Sequence, residues 1–519
     1  MLLGLKMIAI TLILMIVFEG TGIFVKRLLK LEGNGYEAPV GAMALFACAE
    51  VCFLPVFLFH LPLESAMWIL GVLLCFGMFA VIYEHRRIIR SILRKDTLYL
   101  ALSSVLFVFV LLSGNTQPAI FEEALAIQSG GTAAAGTMMQ GYAATTAWLL
   151  RYTDPMLISM VSGCLFHALL SAFSMNVIRS FHLKNPWFVF TLGLYALFYS
   201  SFMDWMIFEA YMPETWRILV IAIVLWLIYG YVEENKETMV GLTMLAAGAG
   251  LFFSDGFDMI VCMIYYCLGV WLVSRKRSHT IFDLALLCSV PFYYKAVQML
   301  METVWIGVLM VAGYTLFLYG FRHRPFRRVV LRTEDWLYEH GVKIFAIGVP
   351  VVLVVLTALC FLFFRDALVP LSTYRYFLES EPTKGYFFLD GRWTTYVLNI
   401  FRWAGMIILL LRADSEGKQE TRYMYILMLA LFVNPLSMGL VARYTGVTAY
   451  ASAFEIFFNP FTDILLLIMV YRMFEWQVIG QWVLEIFLVV AVIAGNAGSF
   501  VGLSQGLFTD SIRTEEIQE

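Results

Sequence analysis

The stretch LLGLKMIAITLILMIVFEGTGIFV, residues 2–25, decides the class of fold. A transmembrane helix needs about 20 mostly apolar residues to cross about 30 Å of hydrocarbon, and this stretch is long enough. It is too long for the apolar core of a signal peptide, and it lacks a cleavage site of small residues. We therefore predict a first transmembrane helix that is retained in the protein.

Apolar runs of this kind recur along the whole chain. Hydrophobic residues make up 61% of the 519 positions and charged residues only 14%, which is the composition of a polytopic membrane protein. By the same length criterion we predict an all-α transmembrane helix bundle of about 14–16 spans. The shortest candidate contains Pro291, and a re-entrant segment there would move everything after it to the other side of the membrane. The candidate spans are 2–25, 38–60, 66–83, 97–113, 156–178, 187–203, 217–232, 238–254, 258–273, 280–294, 297–320, 343–365, 396–411, 423–443, 463–478 and 482–502.

The charge balance and the cysteines exclude several classes of function. With 35 Lys and Arg against 38 Asp and Glu, the chain has no basic surface for nucleic-acid phosphates, so nucleic acid is not an expected partner. All eight cysteines lie in apolar runs, which predicts buried thiols and not disulfides or metal ligands. The sequence contains no HExxH or Walker motif, so zinc hydrolases and nucleotide-driven enzymes are not indicated.

The distribution of Lys and Arg predicts the orientation in the membrane. With the amino terminus outside, most of the basic residues fall in the inner loops, as the positive-inside rule requires. The two densest segments are HRRIIRSILRK (85–95) and FRHRPFRRVVLR (321–332). We interpret both as orientation signals that contact anionic lipid head groups. A docking surface for a cytoplasmic partner is the alternative.

Four outer loops in this layout are long enough to form a site: 114–155, 204–216, 366–395 and 444–462. The first contains NTQPAIFEEALAIQSGGT (115–132) and then a run of small residues. Its apolar spacing and the Gly130–Gly131 break predict two short helices lying at the membrane interface. One loosely hydrophobic spanning helix, packed through its small residues, is the alternative.

The order of these segments resembles the GT-C class of integral-membrane glycosyltransferases. The resemblance rests on the acidic first loop, the helix WRILVIAIVLW (216–226), the hairpin SDGFD (254–258) and the late segments NPLSMGLVARYTG (434–446) and NPFTDILLL (459–467). More narrowly, the chain is similar to an uncharacterised family of bacterial multi-pass proteins with GT-C-like topology. The implied organisation is an amino-terminal transmembrane extension (1–96), a GT-C-like core with outer-loop helices (97–480), and a last helix with a polar tail (481–519).

The resemblance implies transfer of a sugar from a lipid-phosphate donor, such as a polyprenyl-phosphate sugar, to a cell-envelope glycan or lipid acceptor. This reaction would take place on the outer face of a bacterial plasma membrane. The family usually has an Asp near the start of the first loop, whereas this chain has Gln117 and Pro118 there, followed by Glu122 and Glu123.

The chemistry implied by the family assigns roles to the outer charged residues. A carboxylate must deprotonate the acceptor hydroxyl, and cations must stabilise the leaving lipid phosphate. Glu122 and Glu123 are the candidate bases, and Asp204 and Glu209 are candidate ligands of Mg or Mn or acids that orient the acceptor. The candidate phosphate-binding residues are Arg151, Arg217, Arg375 and Arg443.

A second class of function follows from acids inside the predicted spans. Glu19, Glu50 and Glu485 lie in apolar runs, where an ionisable side chain is costly and marks a functional site by default. A multi-pass transporter or a flippase of lipid-linked saccharides would use such acids. However, we find no internal repeat and no matched pair of broken helices, which transporters usually have. A non-catalytic membrane scaffold of the same fold is the third interpretation.

Overall fold

The predicted all-helical architecture is confirmed in a computed structural model of the chain. In its described part every regular element is a helix. The structure describes residues 2–31, 36–91, 122–130, 141–202, 213–234, 238–253, 279–343, 393–412, 454–474 and 478–490, with a few isolated residues between 347 and 362 and at 493.

The helices follow one another along the chain with short connections where both neighbours are described. Their bounds are α1 Leu2–Leu28, α2 Glu37–Leu58, α3 Ser65–Ser91, α4 Glu122–Gly130, α5 Gly141–Leu149, α6 Pro155–Ser180, α7 Pro186–Phe202, α8 Pro213–Glu234, α9 Thr238–Phe253, α10 Thr280–Glu302, α11 Val304–Gly320, α12 Arg324–Lys343, α13 Trp393–Arg412, a 3-10 turn Phe454–Ile456, α14 Pro460–Met473 and α15 Val478–Val490.

Five of these helices are long and apolar enough to cross a membrane: α1, α2, α3, α6 and α10. A sixth is counted if α11 and α12, which meet at 83°, form one broken span. Shorter apolar helices lie within α7, α8, α9 and α15. These counts apply to the described residues, and the predicted spans 97–113, 258–273 and 423–443, with most of 343–365, lie outside them. The chain is thus an all-helical membrane protein.

The chain folds as two compact units. The first comprises Met1–Val224, Leu245–Asp255 and Trp476–Glu519, and it contains α1 to α7 and α15. The second comprises Leu225–Met244 and Gly256–Glu475, and it contains α10 to α14. Helices α8 and α9 each begin in one unit and end in the other.

In the first unit α1 and α2 pack unusually close together. A Cβ atom placed on Gly41 would lie 1.8 Å from the carbonyl oxygen of Phe18, so only glycine fits between the two backbones. Small residues at such contacts allow membrane helices to gain van der Waals contact in the absence of a hydrophobic driving force. This contact fixes α2 as a packed element in the interior of the unit.

Ion pairs join the helix ends on one side of this unit. Lys26 at the end of α1 contacts Glu37 at the start of α2 at 2.9 Å, and Arg27 contacts Glu84 near the end of α3 at 3.0 Å. The end of α1, the start of α2 and the last turns of α3 therefore lie together. This is the side on which the sequence places the inner, basic loops.

In the second unit the boundary between two predicted spans lies later than expected. The sequence predicted spans at 280–294 and 297–320, whereas α10 continues through Pro291 to Glu302. The break occurs at Thr303, which is extended with φ −144° and ψ 96°. Proline is tolerated inside membrane helices because neighbouring groups satisfy the freed backbone carbonyl. Pro291 therefore does not end the helix.

Candidate functional site

The first outer loop forms two short helices, as predicted, in its described part. Glu122 and Glu123 are the first two residues of α4, and α4 packs against α5. The side chains of both glutamates lie outside the described residues. On the inward face of α4, Ala124 and Ile127 are buried.

Helix α5 enters the bundle and does not lie at the interface, which corrects the predicted position. The backbone N–H of Gly141, the first residue of α5, donates to Oε2 of Glu50 at 3.0 Å. Glu50 is only 3% exposed and lies about 12 Å along α2 from its end at Leu58, at 1.5 Å per residue. Since α5 is itself about 13 Å long, it runs beside the last turns of α2.

The hydrogen bond between Glu50 and Gly141 gives a partner to two atoms that are costly to bury alone, the first N–H of α5 and Oε2 of Glu50. The first N–H groups of a helix have no partner within the helix, and a buried carboxylate needs donors. The positive end of the helix dipole also favours a carboxylate at this position. Glu50 was singled out from the sequence as an acid inside a span, and it acts here as the partner of a helix start.

Gly141 leaves no room for a side chain at this contact. A Cβ atom on Gly141 would lie 2.6 Å from Oε2 of Glu50 and 2.5 Å from the ring of Phe252. Neither distance is compatible with an unshifted neighbour. We refer to Glu50, Phe252 and the backbone of Gly141 as the α5 seat.

A frame of aromatic and hydroxyl groups surrounds the α5 seat. The indole N–H of Trp216 donates to the Ser162 hydroxyl at 3.1 Å, and the Tyr142 hydroxyl lies 3.4 Å from the same oxygen. Trp216 stacks on Phe253 with ring centroids 5.3 Å apart, and Phe46 stacks on Phe252 at 5.4 Å. These contacts connect α2, α5, α6, α8 and α9 around the start of α5.

The other end of α5 is held by an ion pair. Arg151, just beyond α5, donates to Glu64 at 2.6 Å, and Glu64 lies in the turn between α2 and α3. The pKa of the Glu64 carboxyl is lowered by a hydrogen bond from its own backbone and by the bond from Arg151. The sequence analysis predicts that Arg151 binds a lipid phosphate. A phosphate that binds there would have to displace Glu64 first.

Of the remaining predicted site residues, the structure describes only Arg217. Arg217 is buried in the second turn of α8, and it takes part in further contacts there. Asp204, Glu209, Arg375 and Arg443 lie outside the described residues. Within the described ranges, no group of three or more His, Cys, Asp or Glu side chains is arranged to hold a metal ion.

A buried ion pair in the second unit was not foreseen from the sequence. Arg402 on α13 donates through Nε and Nη2 to both oxygens of Asp463 on α14, at 2.8 and 2.6 Å. Arg402 is 1% exposed and Asp463 is 3% exposed. The guanidinium also contacts the Asn399 side chain and lies over the Phe458 ring. A single arginine inside the apolar stretch 397–411 was the available signal.

Two further acids from the transport interpretation have partners. Glu485 on α15 accepts a hydrogen bond from the Asn185 side chain at 2.7 Å. Glu19 is buried in α1 and also takes part in a contact.

No protein-family model, curated protein or solved structure matches the chain. The class of the protein therefore rests on its own helices: it is an all-helical membrane protein in which a short loop helix starts at a buried carboxylate. The GT-C resemblance stays a prediction.

Proposed function

We propose that the protein is a membrane glycosyltransferase that moves a sugar from a polyprenyl-phosphate donor to a cell-envelope glycan or lipid acceptor. The observation that carries the proposal is the way the first outer loop is held. Its helix α5 is fixed at both ends, by Glu50 and by Glu64, and α4 packs against α5. The first turn of α4, with Glu122 and Glu123, is thereby positioned relative to the bundle. A catalytic carboxylate needs this kind of rigid support.

The proposed step transfers one glycosyl group without any change in oxidation state. The acceptor hydroxyl oxygen attacks C1 of the sugar while Glu122 or Glu123 takes the hydroxyl proton. The bond between C1 and the phosphate oxygen breaks, and polyprenyl phosphate leaves with the electron pair. The candidate arginines, such as Arg217 near the start of α8, stabilise the charge that develops on this phosphate.

Metal ions of the Mg or Mn type would add positive charge next to the same phosphate. Asp204 and Glu209 are the acids that would hold such an ion, since oxygen ligands suit both metals. The proton transfer to Glu122 or Glu123 is independent of the ion. The reaction is assigned to the outer face of a bacterial plasma membrane.

The proposal is tested with the full chain in nanodiscs and a synthetic polyprenyl-phosphate hexose as donor. Release of polyprenyl phosphate in the presence of cell-envelope acceptor lipids is measured by mass spectrometry. We expect Glu122→Gln combined with Glu123→Gln to lower turnover roughly 100-fold or more, because general-base catalysis contributes about that factor. Glu302→Gln, at the exposed end of α10, is the control and should retain full turnover. Equal turnover in the double variant and the native protein would refute the assignment.

Glu50 favours a second candidate function, the passage of a lipid-linked saccharide across the membrane. Glu50 is buried inside a span and lies next to the start of a short helix. Transporters often place an ionisable side chain beside a broken helix in a similar way. This function would be tested in proteoliposomes that contain a fluorescent polyprenyl-phosphate sugar. If the protein moves this lipid between the leaflets, dithionite added outside would quench the label of all the lipid and not only that of the outer leaflet. Loss of this scrambling in Glu50→Gln, with normal scrambling in the Glu122→Gln and Glu123→Gln double variant, would establish transport in place of transfer.

A further inference from the structure

Helices α11 and α12 form a sharp elbow in the second unit. Helix α11 ends at Gly320, and α12 begins at Arg324 with its axis turned by 83°. Side chains along α11 are apolar and largely exposed, as expected for a helix in contact with lipid. If α11 stands upright in the membrane, α12 must therefore lie nearly parallel to the membrane surface.

Three contacts hold α12 against the start of α10. The carboxylate of Glu334 accepts hydrogen bonds from the backbone N–H groups of His279 at 3.2 Å and Ile281 at 2.7 Å. Nη2 of Arg327 lies 3.1 Å from Nε2 of His279. At the elbow itself, the Phe326 ring packs edge-on against Phe321, the residue directly after α11. The surface of α12 that faces away from α10 is thus presented in a fixed orientation.

This outward surface combines an apolar stripe with a row of arginines. Val329 is 61% exposed and Trp336 is 52% exposed, and the two lie within about 20° of each other around the helix. Arg332 and Arg328 are also exposed, at about 60° and 100° to one side of Val329, since successive residues are rotated by about 100°. The arginines therefore border the apolar stripe in the first half of α12, and the exposed acids Asp335 and Glu339 lie on the same side in its second half.

The arginines on this surface are available to a partner. Arg328 and Arg332 are exposed, and neither forms an ion pair with a described residue. A helix that lies in the head-group region needs such an arrangement, with apolar groups reaching the acyl boundary and cations at its edge.

We propose that α12 is a docking surface for anionic phospholipid head groups. Val329 and Trp336 enter the edge of the acyl region, and Arg328 and Arg332 bind the phosphates beside them. The positive-inside rule assigns this surface to the inner leaflet. The binding partner is a lipid surface because the apolar stripe and its basic border match the layered chemistry of a bilayer edge.

The test uses the full chain in nanodiscs that contain equal amounts of phosphatidylglycerol and phosphatidylcholine. The photo-reactive amino acid p-benzoylphenylalanine replaces Trp336, and the cross-linked lipids are counted by mass spectrometry. We expect phosphatidylglycerol to exceed phosphatidylcholine by at least fivefold, because one basic residue near the surface contributes roughly a fivefold preference. Substituting Arg328→Gln and Arg332→Gln together should bring the ratio close to one.

A second probe position serves as the matched control. Trp305, at the opposite end of α11, is 78% exposed in an apolar stretch, so the same probe there should cross-link both lipids equally. The proposal is overturned if the probe at position 336 cross-links both lipids equally or captures no lipid. It is also overturned if the arginine substitutions leave the ratio unchanged, or if position 305 shows the same enrichment.

Discussion

Oε2 of Glu50 lies 3.0 Å from the backbone nitrogen of Gly141, so a carboxylate in the middle of α2 receives the start of a helix from the outer loop. The two residues are 91 positions apart in the chain. Both are buried, and the ring of Phe252, which stacks on Phe46, lies beside Gly141. This relationship makes the depth of α5 testable by changing either partner.

Substituting Gly141→Ala should destabilise the protein by about 1–3 kcal/mol, the usual cost of overpacking a filled interior. The added methyl group would lie 2.6 Å from Glu50 and 2.5 Å from Phe252, so at least one of them must move. Gly71→Ala on α3 is the control, since a Cβ there meets nothing within 4 Å. Thermal unfolding in detergent measures both variants. A Gly141→Ala protein as stable as the Gly71→Ala protein would show that α5 is not seated at this depth.

Replacing Glu50 should loosen α5 in a graded way. Glu50→Gln keeps an oxygen that can accept the Gly141 N–H, whereas Glu50→Leu leaves the N–H unsatisfied at a cost of about 1–3 kcal/mol. We expect amide hydrogen exchange in 141–149 to be slowest in the native protein, intermediate in Glu50→Gln and fastest in Glu50→Leu. Equal exchange in the Leu variant and the native protein would contradict the role of Glu50 as the partner of this helix start.

Breaking the ion pair of Arg402 and Asp463 from one side should cost about 3–5 kcal/mol, because the other charge is left buried without a partner. We therefore expect Arg402→Met to lower the unfolding temperature strongly. Adding Asp463→Leu to this variant should recover much of the loss, since the uncompensated charge is removed. Arg324→Gln, an exposed position without an ion pair to a described residue, should change stability by less than about 0.5 kcal/mol. If the unfolding temperature of the double variant were as low as that of Arg402→Met, the buried pairing of Arg402 with Asp463 would be contradicted.

The pair of Arg151 and Glu64 should make stability depend on acid pH. The pKa of Glu64 is lowered in the folded protein, so its contribution is present above the ordinary carboxyl pKa of about 4.3 and is lost as the pH falls through the lower folded value. The unfolding temperature of the native protein should therefore approach that of Glu64→Gln as the pH decreases from 6 to 3. The difference should also shrink in high salt, since Glu64 is exposed and its ion pair is screened. If the difference in unfolding temperature between the native protein and Glu64→Gln did not change with pH, ionisation of Glu64 would not contribute to stability.

The sequence predicts the helical class well because long apolar runs in a membrane leave few alternatives to helices. Boundaries inside those runs are harder to predict. The predicted span that contains Pro291 ended at residue 294, but α10 continues to Glu302, since the local cost of proline is offset by surrounding helices.

The depth of α5 was predicted wrongly because small residues carry little hydropathy of their own. Alanines such as Ala143, Ala144 and Ala147 suit an interface or a close helix contact equally well. Whether α5 lies at the interface or against other helices depends on its contact with Glu50. The position of Glu50 beside Gly141 is set by tertiary packing. The same holds for Arg402 and Asp463, which are 61 positions apart and whose partnership no local pattern indicates.

The short length of α5 also bears on the order of events during biogenesis. Nine weakly apolar residues are far fewer than the roughly 20 that a segment needs to partition into a bilayer by itself. Glu50, which accepts its first N–H, is available only after α2 has been inserted, and Glu64, which holds its far end, is in place only with the turn before α3. We therefore expect α5 to enter the bundle as a step of protein folding, guided by helices that are already present, and not as a step of translocon insertion.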